Sequence, residues 1–280
     1  MVGRAVSEYC LANGDRVFPY DHKSLDIADF DGVTQAFERD SPEVVINCAA
    51  WTDVDGCELD RDRAFAANAT GPENLARASR ELNAGLITIS TDYVFDGRKD
   101  GFYTQRDQPC PESTYGLSKL EGERRAQLAC ARTIVVRTGF VFGPGGKNFL
   151  STIIERAKRG ENLKAIRDAY GTPSYAPDLA RRLRELAQRD LPGIFHVVND
   201  GEGASYEEFA RAALDVSGHT STLLETVDMD SLHRPATRPR NSRLKCLLSE
   251  AIGLAPLPFW KDSLTNFAAL NPGREVAAGG

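Results

Sequence analysis

The stretch GLITISTDYVFDG, residues 85–97, decides the fold of this 280-residue chain. Its first seven residues, Gly85 to Thr91, are mostly apolar or β-branched, which predicts a strand buried on both faces. Hydroxyl and carboxylate side chains follow at once, at Thr91, Asp92 and Asp96. In a parallel sheet, ligands bind beyond the carboxyl ends of the strands. The stretch therefore predicts a strand of an α/β sheet with a functional site at its end.

Strand and helix patterns alternate around this stretch. Four other short apolar runs are predicted as strands: Asp15 to Asp21, Glu43 to Ala49, Thr133 to Gly139 and Gly193 to Asn199. Three amphipathic segments between the early strands are predicted as helices: Phe30 to Asp40, Asp62 to Leu82, and Ser113 to Ala131. This alternation predicts an α/β fold, a Rossmann-like parallel sheet flanked by helices on both faces.

The pattern is looser after Gly143 and predicts a smaller, substrate-binding region. Helices are predicted at Asn148 to Arg159, Asp178 to Arg189 and Ser205 to Ser217, and an ordered binding loop at Leu232 to Leu244. We expect residues 1–142 to form the dinucleotide-binding domain, to which residues of roughly 168–200 return. Residues 143–268 are expected to be largely substrate-binding, and residues 269–280 to be a frayed tail.

Composition limits the function classes. The net charge of −6 argues against nucleic acid as a partner, since phosphate binding needs a basic surface. The six cysteines form no C-x-x-C pair and the four histidines show no ligand spacing, so free thiols and no metal site are expected. There is no apolar run of the ~20 residues that span a bilayer and no signal peptide, which predicts a cytoplasmic protein without a membrane partner.

The catalytic candidates lie in the segment STYGLSK, residues 113–119. Tyr115 and Lys119 are four residues apart and therefore share one face of the predicted helix. A phenol with a pKa near ~10 is a weak acid at neutral pH, and a neighbouring ammonium stabilises its phenolate. This pair suits protonation of a carbonyl oxygen, although a Tyr-x-x-x-Lys spacing by itself is common in ordinary helices. A Thr91 hydroxyl could hold the same oxygen.

The chain resembles the extended short-chain dehydrogenase/reductases, and within them the dTDP-4-dehydrorhamnose reductase family. The matching segments are VVINCAAWTDVDGCE (44–58), NATGPENLA (68–76), STDYVFDG (90–97), YGLSKLEGE (115–123), RTGFVFGPGGKNF (137–149), GTPSY (171–175) and RPRNSRL (238–244). The resemblance implies that NADPH or NADH reduces dTDP-4-dehydro-L-rhamnose to dTDP-L-rhamnose. The bound partner would be a dTDP-sugar.

The resemblance also assigns roles to individual residues. Thr91, Tyr115 and Lys119 match the catalytic triad, and Lys119 would also bind the nicotinamide ribose. The matched cofactor-binding positions are Gly3, Asp26, Ile27, Ala49, Ala50, Trp51, Asn68, Thr138 and Val141. The matched substrate-binding positions are Asp92, Tyr93, Phe140, Asn148 and Arg238, where a guanidinium suits a pyrophosphate.

The chain departs from the family pattern at three places. Its opening residues match the end of the family's Gly-rich turn, with Gly3 as the third glycine, so the first strand and two earlier glycines are expected to be missing. We expect this to leave the strands ending near Asp21 and Thr91 with unpaired facing edges. Phe140 stands where the family commonly has Trp. After the second predicted strand, Asp21 favours NAD whereas Lys23 favours NADP, so the preference stays open.

Other functions remain open at this point. Another nucleotide-sugar reductase or an epimerase of the same superfamily would share Tyr115 and Lys119. A non-catalytic regulatory subunit, such as the β subunit of methionine adenosyltransferase, would share the fold. The family often forms magnesium-bridged dimers through glutamates, which makes a homodimer with Mg²⁺ at its interface an open alternative, with Glu8 as a candidate ligand.

Overall fold

The computed structural model describes residues 1–219 and 224–270. The helices are α1 (Val2–Ala12), α2 (Phe30–Asp40), α3 (Val54–Leu59), α4 (Arg61–Phe65), α5 (Gly71–Glu81), α6 (Thr114–Ala129), α7 (Phe149–Lys158), α8 (Ala176–Arg189), α9 (Tyr206–Val216), α10 (Leu247–Ala251) and α11 (Trp260–Ala269). The strands are β1 (Val44–Asn47), β2 (Gly85–Thr91), β3 (Thr133–Thr138), β4 (Val141–Phe142), β5 (Leu163–Ile166), β6 (Tyr170–Gly171), β7 (Ser174–Tyr175), β8 (Gly193–His196), β9 (Ala204–Ser205) and β10 (Leu224–Val227).

The main sheet is parallel, with strand order β1-β2-β3-β8. Strand β2 pairs with β1 on one side and β3 on the other, which makes it the central strand that its apolar run predicts. Thr91 at the end of β2 lies opposite Thr138 at the end of β3. The carboxyl ends of these strands therefore meet at one edge of the sheet.

Helices cover both faces of this sheet, as predicted for a Rossmann-like fold. Alternate side chains of β2 point to opposite faces, so Ile87 packs with helices α1 and α8, and Leu86 packs with α2, α5 and α6. Both clusters are almost wholly apolar and buried. Their burial, at about 25 cal/mol per Å² of apolar surface, is the main stabilising contribution to this layer.

The remaining elements form a smaller body around helices α7, α9 and α11. An aromatic cluster with Phe142, Phe209, Trp260 and Phe267 joins these helices, and a parallel two-stranded sheet of β5 and β10 covers one side. The loop of residues 232–244 has no helix, and its backbone pairs with other segments through isolated bridges at Asn241 and Leu244. None of the helices in residues 1–219 and 224–270 is long and apolar enough to cross a bilayer.

Two expectations about the start of the fold are wrong. The segment Asp15 to Asp21 forms no strand, because it pairs with no neighbour; Val17 packs on the apolar core while Phe18 and Tyr20 are exposed. The strand ending at Thr91 has no unpaired edge either, because β1 and β3 flank it. Within the described residues, the unpaired edge of the sheet on this side belongs to β1.

The helix predicted from Asp62 to Leu82 is interrupted. A π-helical turn at Ala66–Thr70 separates α4 from α5, and Gly122 of α6 explains how this turn packs. A Cβ on Gly122 of α6 would lie 2.0 Å from the Asn68 carbonyl oxygen in this turn. Gly122 therefore allows helix α6 to approach the turn more closely than any side chain would permit. The predicted tail from Asn271 onward lies outside the described residues.

Replacing Gly122 by alanine should destabilise the protein by about 1–3 kcal/mol, because the new methyl group must displace α6 from backbone atoms that cannot rotate away. The melting temperature of purified Gly122→Ala, measured by calorimetry without ligand, should fall by several degrees. Gly3→Ala is the control, since its Cβ would meet Cys48 at an ordinary 3.5 Å. Equal melting temperatures for the two variants would contradict this account of Gly122.

Candidate active site

The site lies where β2 ends and helix α6 begins. Helix α6 begins at Thr114 because Ser113 caps it, and the Ser113 side chain accepts a hydrogen bond from the Gly116 amide at 3.2 Å. The Glu58 carboxylate accepts a second bond from the Thr114 amide at 2.9 Å. Both bonds satisfy amides that a helix N-terminus leaves unpaired. They fix the first turn of α6, which carries Tyr115.

Gly116 brings this turn close to the end of β2. A Cβ at this position would lie 2.3 Å from the carbonyl oxygen of Tyr93, so only glycine fits. The close approach places the Tyr115 phenol near the Thr91 hydroxyl, close enough for the hydroxyl to affect the pKa of the phenol. The sequence predicted both residues at one site, and the structure brings them together.

Burial controls the chemistry of both Tyr115 and Lys119. Burial raises the pKa of the Tyr115 phenol well above its usual value, and the nearby Thr91 hydroxyl opposes this rise because it can stabilise the phenolate. Tyr115 is therefore protonated at neutral pH, as a proton donor must be. Burial also lowers the pKa of the Lys119 ammonium to about 8, partly offset by the charge of Glu123.

The Lys119 ammonium donates a hydrogen bond of 2.6 Å to the carbonyl oxygen of Ile89 in β2. An ammonium has three N–H groups, which leaves two of them available for a ligand beside the sheet edge. The expected effect of Lys119 on the Tyr115 phenol stays a prediction, since the charges and hydrogen bonds acting on that phenol are those of Thr91, Asp92 and Cys57.

The predicted cofactor positions surround the carboxyl end of β1. The Ala49 amide donates to the Asn47 side chain, and Asn68 bonds both the amide and the carbonyl of Trp51, at 2.9 and 3.0 Å. Asn68 also donates to Ser118 on α6 at 3.1 Å, which ties this stretch to the catalytic helix. The segment Ala49–Trp51 is thus rigidly held beside Lys119.

The described residues fit a dinucleotide at this edge. Helix α1 begins at Val2 with no side chain capping it and no acid in its first turn, so its first amides are available for an anion. Gly3, in this turn, lies next to Cys48 just beyond β1. Asp26 and Ile27 lie in a turn in which the carbonyls of Ile27 and Ala28 accept hydrogen bonds from Asn74. Thr138 ends β3 and Val141 begins β4, and both lie close to Ser174.

Two neighbouring cavities are lined in part by the loop of residues 232–244, and Tyr115 lines neither of them. The inner one encloses about 10 Å³, room for about one water molecule, and its walls include Tyr93, Phe140, Tyr206, Arg234 and Ser242. The second is a cleft of about 620 Å³, a volume within the range of ligand sites. The two share Tyr170, Met229 and Arg238 as lining residues.

The predicted substrate residues have different surroundings. Tyr93 and Phe140 line the inner cavity; Phe140 has a left-handed backbone with φ of 45° and stacks on Tyr206 with ring centres 4.3 Å apart. Arg238 lines both cavities and forms a bidentate ion pair with Asp55, at 2.9 and 2.7 Å. The Asn148 side chain caps α7 and lines neither cavity.

Sequence reasoning missed several residues of the cavity wall. Tyr206 and Arg234 were not singled out, and Ser242 was noted only as part of the matched segment RPRNSRL. The sequence around Tyr206 carries a usable signal, because Ser205 and Glu208 form a capping box that marks the start of α9. That signal predicts a helix start, however, and gives no indication that the helix faces the site.

The buried Tyr, Lys and Thr set at the end of a parallel Rossmann-like sheet is the arrangement expected for the extended short-chain dehydrogenase/reductase class. The family model described as RmlD substrate binding domain matches residues 1–271. The chain belongs to this family, which confirms the family predicted from its motifs.

Curated and solved relatives agree. A dTDP-4-dehydrorhamnose reductase of Mycolicibacterium smegmatis is 36% identical, over 96% of this chain and 82% of the relative. The solved structure of dTDP-4-dehydrorhamnose reductase from Bacillus anthracis in complex with NADP is 32% identical, with a TM-score of 0.93 over 96% of this chain and 95% of that one. The corresponding enzyme from Clostridium acetobutylicum is 35% identical, with a TM-score of 0.92 over the same shares.

Proposed function

We propose that this protein reduces dTDP-4-dehydro-L-rhamnose to dTDP-L-rhamnose with NADPH or NADH. The observation that carries the proposal is the burial of Tyr115, Thr91 and Lys119 together at the carboxyl end of β2. Relatives that share more than a third of its residues are dTDP-4-dehydrorhamnose reductases. The NADP complex of the Bacillus anthracis relative supports a nicotinamide dinucleotide as the cofactor.

The roles of the side chains follow from their surroundings. A reduced nicotinamide, when bound, supplies hydride to the C4 carbonyl carbon of the sugar. Thr91 donates a hydrogen bond to the carbonyl oxygen, and Tyr115 gives its proton to that oxygen as negative charge develops on it. The two remaining N–H groups of Lys119 bind the ribose hydroxyls of the cofactor. The inner cavity must widen to admit a hexose, since about 10 Å³ holds only one water.

The cofactor contacts are assigned to Gly3, Asp26, Ile27, Ala49, Ala50, Trp51, Asn68, Thr138 and Val141. Tyr93, Phe140 and Arg238, together with Asp92 and Asn148 from the family resemblance, are proposed to bind the dTDP-sugar, with the arginine-rich cleft taking the nucleotide. Arg240 there is paired with Asp168 and Asp230, whereas Arg243 lies between the rings of Phe102 and Tyr170, about 5.5 Å from each centre.

Two further features are proposed from family resemblance. Cytoplasmic location is one. A homodimer bridged by Mg²⁺ is the other; because residues 1–219 and 224–270 contain no cluster of three or more His, Cys, Asp or Glu side chains, such an ion would need ligands from both chains. Glu8 is exposed on α1 and is available for this role.

One assay tests the function against its alternatives. Purified protein with dTDP-4-dehydro-L-rhamnose should oxidise NADPH or NADH in proportion to the sugar consumed, and comparing the two cofactors gives the preference that Asp21 and Lys23 leave open. An epimerase would convert a nucleotide sugar with no net loss of reduced cofactor. A regulatory subunit would bind ligand without turnover, and either result would contradict the proposal.

A further inference from the structure

Asp55 anchors part of the loop of residues 232–244 to the Rossmann-like body. It lies in the first turn of α3, and its carboxylate accepts a hydrogen bond from the Ala236 amide at 3.1 Å. It also accepts from two nitrogens of the Arg238 guanidinium, at 2.9 and 2.7 Å. Within the described chain, these are the hydrogen bonds that join residues 233–239 to any other segment. The position of this part of the loop therefore depends on Asp55.

The ion pair uses only one edge of the Arg238 guanidinium. Nη1 and Nη2, at the end of the side chain, donate to the two oxygens of Asp55, and Nη1 also donates to the Ala236 carbonyl oxygen at 3.0 Å. A guanidinium has five N–H groups. Among the described residues, none accepts from Nε, and Nη2 donates to Asp55 alone. Nε and Nη2 lie side by side, so this second edge can donate two parallel hydrogen bonds to a phosphate group.

Asp55 is itself firmly held. Asp53 caps α3 by accepting from the Gly56 amide at 3.0 Å, and the Cys57 side chain is fully buried in a cluster with Tyr115. At the end of the same helix, Glu58 accepts from the first turn of α6. The anchor for Arg238 is therefore part of the same rigid frame as the proton donor.

We propose that Asp55 is a positioning residue for the nucleotide diphosphate: it holds one edge of Arg238 so that the other edge is presented to the phosphates. The inference rests on the proposed function, in which Arg238 binds the dTDP-sugar. Asp55 acts through Arg238 and need not touch the ligand.

The geometry also distinguishes positioning from competition. A carboxylate that had to leave before the ligand bound would occupy the Nε and Nη2 edge, which offers the phosphate fork, whereas Asp55 occupies the end of the side chain. Arg238 lines both the inner cavity and the wide cleft, where a ligand can reach it. The hydrogen bond from Arg238 holds the pKa of the Asp55 carboxyl below its usual value, so the pair stays charged at neutral pH.

Calorimetric titration with dTDP tests the proposal without needing activity. The Kd for dTDP should rise about tenfold or more in Asp55→Asn, because the arginine loses a charged hydrogen-bond partner. The affinity for NADP⁺ should stay the same. Asp190→Asn is the matched control, since it changes a carboxylate that pairs with Arg132 at 3.1 and 2.8 Å and lines neither cavity. An unchanged or lower Kd for dTDP in Asp55→Asn would overturn the proposal.

Steady-state kinetics separate positioning from a general loss of structure. In Asp55→Asn the KM for dTDP-4-dehydro-L-rhamnose should rise while kcat stays near the wild-type value, as expected when a contact that binds substrate and transition state equally is lost. A fall in kcat together with weaker NADP⁺ binding would indicate that α3 has loosened, and would contradict a role confined to Arg238.

A double-variant cycle tests whether Asp55 acts through Arg238. Arg238→Ala should raise the Kd for dTDP, and adding Asp55→Asn should then have little further effect, because the residue that Asp55 positions is gone. Additive losses would overturn the proposal.

Arg238→Lys provides a test in which Asp55 is left intact. A lysine keeps the charge but has no second edge to present, so the Kd for dTDP should rise here too. An unchanged Kd would contradict the role of the guanidinium edge. A wild-type protein that binds dTDP but does not oxidise NADPH or NADH with the sugar would instead reject the proposed function, whereas one that does not bind dTDP would overturn both.

Discussion

Replacing Tyr115 by phenylalanine should lower kcat about a thousandfold, within the 10²–10⁴ range that a positioned general acid contributes. The phenol is buried near Thr91 at the end of β2. Within the described chain, Lys119 is held to the Ile89 carbonyl and Asp92 is held behind Thr91. Neither can take over proton donation without rearranging.

The affinity for product should change little in Tyr115→Phe, because the aromatic ring and its packing against Tyr93 remain. Calorimetric titration with dTDP-L-rhamnose measures this directly, and kcat is followed by oxidation of NADPH. The matched control is Tyr175→Phe, the same chemical change at a buried tyrosine outside the site. Near-normal turnover in Tyr115→Phe would remove Tyr115 from the role of proton donor.

The parts of the fold that are local in sequence were predictable. Strand β2 has the bounds that its apolar run predicts, and α2 also begins and ends as predicted, with Asp29 as its cap. That Tyr115 and Lys119 share one helix face follows from helical spacing. The location of the site at the end of β2 follows from the rule that ligands bind at the carboxyl edge of a parallel sheet. These features depend on periodicity and capping, which a single sequence contains.

The parts that depend on distant contacts were not predictable. Nothing near Ser242 indicates that it meets Asp92, and nothing in Phe140 indicates that it stacks on Tyr206. The segment Asp15 to Asp21 has the composition of a strand, but pairing requires a neighbour, and composition does not supply one. The motif YGLSKLEGE was recognised as a unit, yet the reason for its glycines became clear only from the backbone atoms that approach Gly116 and Gly122.

The last residue of that motif, Glu123, leads to the largest stability effect that we predict. Its carboxylate forms a bidentate ion pair with Arg137 of β3, at 2.9 and 2.6 Å, and both side chains are almost completely buried. The Arg137 guanidinium also lies over the Phe95 ring, 5.2 Å from its centre. The pair therefore fastens the catalytic helix α6 to the sheet in a region without water access. Removing one partner would leave the other charge buried and uncompensated.

Glu123→Ala should accordingly lose about 3–5 kcal/mol of unfolding free energy, the cost of breaking a buried pair from one side. Urea denaturation followed by circular dichroism measures this loss. The matched control is Glu112→Ala, whose partner Arg98 has a side chain 77% exposed, and which should lose at most about 1 kcal/mol. The double variant Glu123→Leu with Arg137→Met removes both charges and should recover much of the stability, because no buried charge is then left unpaired. Similar losses in Glu123→Ala and in the double variant would show that packing volume, and not the uncompensated guanidinium, sets the cost at this position.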